Sequence, residues 1–150
     1  MITQEAVKNI TSLKKLGVAG VSRNGKKFGN TIYREMKKKG YDVFPINPHT
    51  DEIEGAACYR DVASLPDVEG LIITTPAAES IKILKEAKNK GINNVWLQQG
   101  AQSKEAVTFC EENNMNYVAG ECIFMYMEPV ESIHKFHRWI WKVIGKYPVN

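Results

Sequence analysis

The stretch Leu16–Gly29, LGVAGVSRNGKKFG, does most to limit what this chain can become. It opens as an apolar run, turns polar and Gly-rich at Ser22, and leads into a helical pattern from Asn30. Strand, loop, helix in that order is the layout of a nucleotide-binding turn. Glycines let backbone N–H groups approach a phosphate, and the following helix offers it a positive N-terminus.

The loop half-matches two nucleotide patterns and completes neither. Gly20, Gly25 and Lys26 have P-loop spacing, but Lys27 stands where a Ser or Thr would hold magnesium. No apolar strand ending in Asp supplies the second half of that site. The G-x-G-x-x-G dinucleotide spacing also fails from Gly17 and Gly20. The second strand ends in Asn47-Pro48, where an NAD site wants Asp or Glu for the ribose hydroxyls. A phosphate-bearing nucleotide held without a metal is the remaining expectation. Arg23, Lys26 and Lys27 read as its phosphate clamp, against the plainer reading of a solvated charged loop.

Periodicity organises the rest. Residues 3–15 read as a helix capped by Thr3, with Ala6, Ile10 and Leu13 on one face. Strands are predicted at Leu16–Val21, Tyr41–Ile46, Gly70–Thr74, Val95–Gln98 and Asn116–Ala119. Helices are predicted at Asn30–Lys39, from Thr75 as cap with Pro76 first to Gly91, and from Ser103 to Asn113. Residues 49–66 read as loop with a short helical piece near Asp61–Leu65. Strands and helices alternating in this way predict an α/β chain with a Rossmann-like, doubly wound parallel sheet of about five strands. From Pro129 onward Val130, Ile133, Ile140 and Ile144 follow helical spacing, so residues 129–150 read as an added C-terminal helix on a single 1–150 domain.

Size and charge narrow the function classes. At 150 residues one domain with a real core is expected. Net charge is +3, a mild excess that suits an anionic small molecule and gives no concentrated basic face for nucleic acid. No run approaches the roughly 20 apolar residues of a membrane span. MITQEAVKNI lacks a signal-peptide core, so a cytoplasmic location is expected. Cys58, Cys110 and Cys122 form no CxxC pair, and neither a zinc site nor a disulfide framework is indicated. His134 and His137 share a helical spacing but lack a third ligand, so no metal site is assigned.

In an open parallel sheet, ligands bind beyond the carboxyl ends of the strands. Those ends hold small, polar and amide-bearing residues and no Ser/His/Asp or Cys/His set, so no catalytic residue is assigned. The ordered set GVAGVSRNGKKFGN, VFPINP, IITTP, VWLQQGA and GECI resembles the small stand-alone CoA-binding proteins over roughly residues 10–124. These are similar to the CoA-binding domain of the succinyl-CoA synthetase alpha subunit. The resemblance implies a Rossmann-type fold with CoA or an acyl-CoA as cofactor. It places Gly20, Val21, Ser22 and Arg23 at the CoA phosphates, with Gly29 and Asn30 opening the helix that faces them. It sets Asn47 and Pro48 beside the adenosine and Thr74, Thr75 and Pro76 along the next stretch. Gln98, Gly100 and Cys122 fall towards the pantetheine. The synthetase's phosphohistidine domain has no counterpart in these motifs, so non-catalytic binding is the expectation. The alternatives are an NAD(P)-dependent reductase or acyl transferase using the same pocket, and an interaction protein or homodimer acting through the terminal helix.

Overall fold

A computed structural model of the protein describes residues 3–127. The expected C-terminal helix of residues 129–150 lies outside them. The first helix, α1, is Gln4–Thr11. Thr3 caps it by accepting the Ala6 N–H at 3.1 Å, and Ala6, Val7 and Ile10 are its buried stripe. β1 is Lys15–Ala19 and α2 is Phe28–Lys38, with Ile32, Tyr33 and Met36 turned inward. β2, Asp42–Ile46, carries Pro45 inside the strand. Proline cannot donate to a ladder, and β2 is accordingly an edge strand.

The segment after β2 departs from the expected loop. Glu52–Ile53 (β3) and Ala56–Ala57 (β4) pair as an antiparallel hairpin. Its turn is Glu54-Gly55, with φ of 50° and 82°. The predicted helical piece near Asp61–Leu65 is a set of turns closed by a Leu65 N–H to Val62 carbonyl bond of 3.1 Å.

β5 is Gly70–Ile73 and α3 is Ala77–Lys90. The predicted Thr75 cap is displaced: Pro76 occupies the cap position and Thr75 Oγ1 lies 3.2 Å from Ser80 Oγ. β6 is Asn94–Gln98, α4 is Lys104–Glu112, and β7 is Asn116–Glu121. Ser103 caps α4 by accepting the Ala106 N–H at 3.0 Å. A 3₁₀ turn, Ile123–Met125, then lies buried on the sheet.

Five parallel strands form one sheet in the order β2-β1-β5-β6-β7. Alternate side chains go to opposite layers. Leu16, Val18, Ile72, Trp96 and Val118 join the core that holds the α1 and α2 residues Ile10, Ile32, Tyr33 and Met36. Leu71, Ile73, Val95 and Leu97 join the core that holds Leu84, Ala87, Ala106 and Cys110 of α3 and α4. The sheet is therefore covered on both faces, and its strands read as unbroken apolar runs for that reason. The chain leaves β1 to one side for β2 and returns past it to β5. Strand order reverses there, and the loops at the carboxyl ends of β1 and β5 diverge to leave a crevice.

Candidate functional site

β1 delivers the chain to Gly20, whose φ of +98° is a left-handed conformation that glycine adopts without strain. A Cβ on Gly20 would overlap Thr74 Oγ1, and a Cβ on Gly29 would overlap the Gly20 carbonyl oxygen and come within 2.7 Å of Thr74 Oγ1. The two glycines thus let the start of α2 close onto the ends of β1 and β5. Thr74 joins those ends, its N–H donating to the Ala19 carbonyl at 3.0 Å and its hydroxyl to the same oxygen at 2.6 Å.

The loop between Gly20 and α2 is tied at several points. Asn30, fully buried, accepts the Ser22 N–H at 2.9 Å and the Ser22 hydroxyl at 2.8 Å, and returns an amide N–H to the Ser22 carbonyl at 2.9 Å. Asn47 Nδ2 donates to the Val21 carbonyl at 2.8 Å. Asn24 accepts the Lys26 N–H at 2.9 Å, and Arg34 Nη2 donates to the Gly25 carbonyl at 2.9 Å. Arg34 is itself fixed by Glu54 of the hairpin turn at 2.6 Å.

A cleft of about 500 Å³ opens beyond β2, β1 and β5. Of the positions singled out in the sequence, Gly20, Val21, Ser22, Asn47, Pro48, Thr74, Thr75 and Pro76 line it together. Gly29 and Asn30 lie behind the loop and shape it. Arg23 and Lys26 belong to the same loop but not to the cleft lining. Gln98, Gly100 and Cys122 are at the ends of β6 and β7 and also lie outside that lining. There Gln98 Oε1, buried, accepts the Ile123 N–H at 3.1 Å, and the Gly100 N–H goes to Gln102 at 2.8 Å.

Of the three cations read as a phosphate clamp, Lys27 lines the cleft, and the lining adds His49, Arg60, Asp61, Glu79, Lys82, Ile83 and Glu86, which the sequence does not single out. Glu79, Lys82 and Glu86 recur at helical spacing on the polar side of α3, and that spacing was the available signal. Arg60 and Asp61 sit in the irregular segment after the hairpin, where nothing in the sequence marks them. The Glu86 carboxyl is raised above its ordinary value by burial, and by the Asp61 charge, against the lowering effect of Lys82.

Two helices begin at this cleft. Lys27 is the cap residue of α2 and Pro76 that of α3, and neither places a side-chain bond on the helix's first N–H groups. α1 and α4 both carry such a bond, from Thr3 and Ser103. Lys27 at the start of α2 and Pro76, Ala78 and Glu79 at the start of α3 line the cleft, so both helices begin beside it with their positive dipole ends. The lining carries Lys27, Arg60 and Lys82 as cations and Asp61, Glu79 and Glu86 as acids, with Glu79 in the first turn of α3, so an anion is best received at the α2 start beside Lys27.

The thiols are not built for reaction. Burial raises Cys58, Cys110 and Cys122, Cys110 to about 11. At Cys122 burial outweighs the lowering hydrogen bonds from Gln98, Phe124 and Met125. A raised thiol is a poor nucleophile at neutral pH. Among the described residues no group of three His, Cys, Asp or Glu side chains is placed to hold a metal, and no helix is long and apolar enough to cross a membrane. A second depression of about 440 Å³ lies between α3 and α4, on the outer layer and away from the strand ends.

Comparison with known proteins places this geometry. The chain is similar to an acetate–CoA ligase (ADP-forming) of Methanocaldococcus jannaschii, 32% identical over 57% of this chain and 12% of the ligase. It is similar to the alpha subunit of acetate–CoA ligase (ADP-forming) II of Pyrococcus furiosus, 26% identical over 72% of this chain and 26% of the subunit. The chain thus spans a minor part of the curated relatives it matches. Among solved structures, a conserved hypothetical protein of Pyrococcus furiosus superposes with a TM-score of 0.71 at 40% identity, covering 73% of this chain and 96% of that one. A family model described as a CoA binding domain matches residues 14–128, from the residue before β1 to just past the described residues, and the chain belongs to that CoA binding domain family.

Proposed function

We propose that this domain binds CoA or an acyl-CoA in the cleft beyond β1, β2 and β5 and does not itself turn it over. The observation that carries the reading is the convergence of two helix starts without side-chain caps, the Gly20–Lys27 loop and Lys27 on one cleft at the switch in strand order. In this reading the diphosphate lies against the loop and the α2 N-terminus. The nucleoside lies between Asn47-Pro48 and the polar side of α3. The pantetheine runs towards Gln98, Gly100 and Cys122, where the raised Cys122 thiol would pack and not react. The hydroxyls of Ser22, Thr74 and Thr75 in the lining bond to Asn24 and Asn30, the Ala19 carbonyl and Ser80, and not to a His, Asp or Glu side chain, which favours binding over turnover.

A thermal-shift titration with CoA, acetyl-CoA, NAD, NADP and ATP tests this. A ligand at 100 times its Kd stabilises the native state by about 2.7 kcal/mol. CoA and acetyl-CoA are expected to shift the transition and NAD is not. No shift with either CoA species overturns the reading, and hydride transfer or acyl turnover by the purified protein would replace it with an enzymatic one.

A further inference from the structure

Two asparagines from different elements grip adjacent residues of the phosphate loop. Asn30 is in α2 and holds Ser22 by three bonds of 2.8–2.9 Å. Asn47 follows β2 and holds the Val21 carbonyl at 2.8 Å. The carbonyls of Val21 and Ser22 are thereby both tied to amide donors of the protein. A carbonyl oxygen is the negative end of the peptide dipole, so an anion site needs such oxygens turned away and held. Both amides are neutral and offer a donor and an acceptor, which Asp in either place cannot do when ionised.

Asn47 also stands where dinucleotide-binding folds keep an acid to accept the ribose hydroxyls. Here its Oδ1 accepts the His49 N–H at 2.8 Å while its Nδ2 serves the loop. The side chain is directed into the protein's own backbone on both sides.

We infer that Asn30 and Asn47 are positioning residues, a pair of amide clamps that fix Val21 and Ser22 in the shape that receives a diphosphate before any ligand arrives. The clamps act on the diphosphate through the loop: the Asn47 amide is taken up by Val21 and His49, so a nucleoside beside Asn47-Pro48 meets the Asn47 backbone and the Pro48 ring and not that amide. The inference rests on the proposed reading only for the identity of the anion; the clamping itself concerns the ligand-free chain.

The test uses Asn47→Ala, Asn30→Ala and Asn30→Asp, the last keeping both acceptor bonds from Ser22 while replacing the donor to its carbonyl by a carboxylate oxygen. Amide hydrogen exchange of residues 21–25 is measured without ligand, and affinity is measured for CoA, ADP and inorganic pyrophosphate. The expected result is faster loop exchange in every folded variant. It is accompanied by an affinity loss of about tenfold that is equal for all three ligands. Unchanged loop exchange overturns the clamps. So does a loss seen with CoA and ADP but not pyrophosphate, which would make Asn47 a nucleoside contact. If the unsubstituted protein binds none of the three, the CoA reading fails, while loop exchange still decides the clamps.

Discussion

Thr74 Oγ1 donates to the Ala19 carbonyl at 2.6 Å, so the last residue of β1 and the first residue after β5 are joined at the point where the sheet changes direction. Gly20 and Gly29 both pack against that hydroxyl. Strand ends, loop and α2 therefore meet around one polar atom.

Gly29→Ala tests this crowding. Gly29 is a helical residue, and Ala in an open helix is favoured over Gly by about 1 kcal/mol. Here the added methyl meets the Gly20 carbonyl and Thr74 Oγ1, so the sign should reverse, with a loss of about 1–3 kcal/mol. Denaturant unfolding reads it. A stabilised Gly29→Ala would mean that the loop yields freely and the close approach has no cost.

Lys27 and Arg23 should separate. Lys27 caps α2 and lines the cleft, whereas Arg23 is not part of the lining. Lys27→Ala is expected to raise the Kd for CoA about five- to tenfold at low salt and less at high salt, because the contact is ionic. Arg23→Ala is expected to change it less than about twofold. Calorimetric titration at two salt concentrations decides between them. A larger loss at Arg23 would put the phosphates on the outer face of the loop.

Acid should weaken the base of the sheet through Glu69. Its carboxylate accepts the N–H groups of Lys14 at 2.8 Å and Lys15 at 2.9 Å where β1 begins. Those bonds, and after them the two lysine charges, hold its carboxyl below the ordinary value. The unfolded chain then binds the proton more tightly than the native one. The stabilisation is present above the unfolded value of about 4.3 and is lost as pH falls through the lower native value. Glu69→Gln keeps an acceptor without the titration, so its stability should fall less between neutral and acidic pH. Parallel acid slopes for the two proteins would remove Glu69 from the account.

The parallel sheet was legible because strands covered on both faces run apolar without alternation, as at Leu16–Ala19 and Gly70–Ile73. Thr3 was legible as a cap because a hydroxyl before an amphipathic stretch has one obvious use, while Ser103, expected only as the start of its helix, proves to be a cap of the same kind. Thr75 looked the same and was not. Pro76 with φ −54° and ψ 148° takes the cap position, and the Thr75 hydroxyl turns to Ser80. The hairpin at Glu52–Ala57 was invisible since strands of two residues show no period. Strand ends could be found, but the sequence does not order them. Only the order β2-β1-β5-β6-β7 puts the cleft beside Asn47 and Thr74 and leaves Gln98 and Cys122 outside its lining. Asn30 and Asn47 were marked as site positions, but the direction of an amide depends on which carbonyl the fold brings to it.

The cleft walls come from Gly20, Asn47 and Thr74, three places far apart in the chain that meet only when β1 has paired with both β2 and β5. No local segment can assemble the site alone, so its appearance in refolding should coincide with long-range strand pairing and not with helix formation. Whatever occupies the cleft then reports on completed topology. It also draws the folding equilibrium towards the whole sheet by mass action.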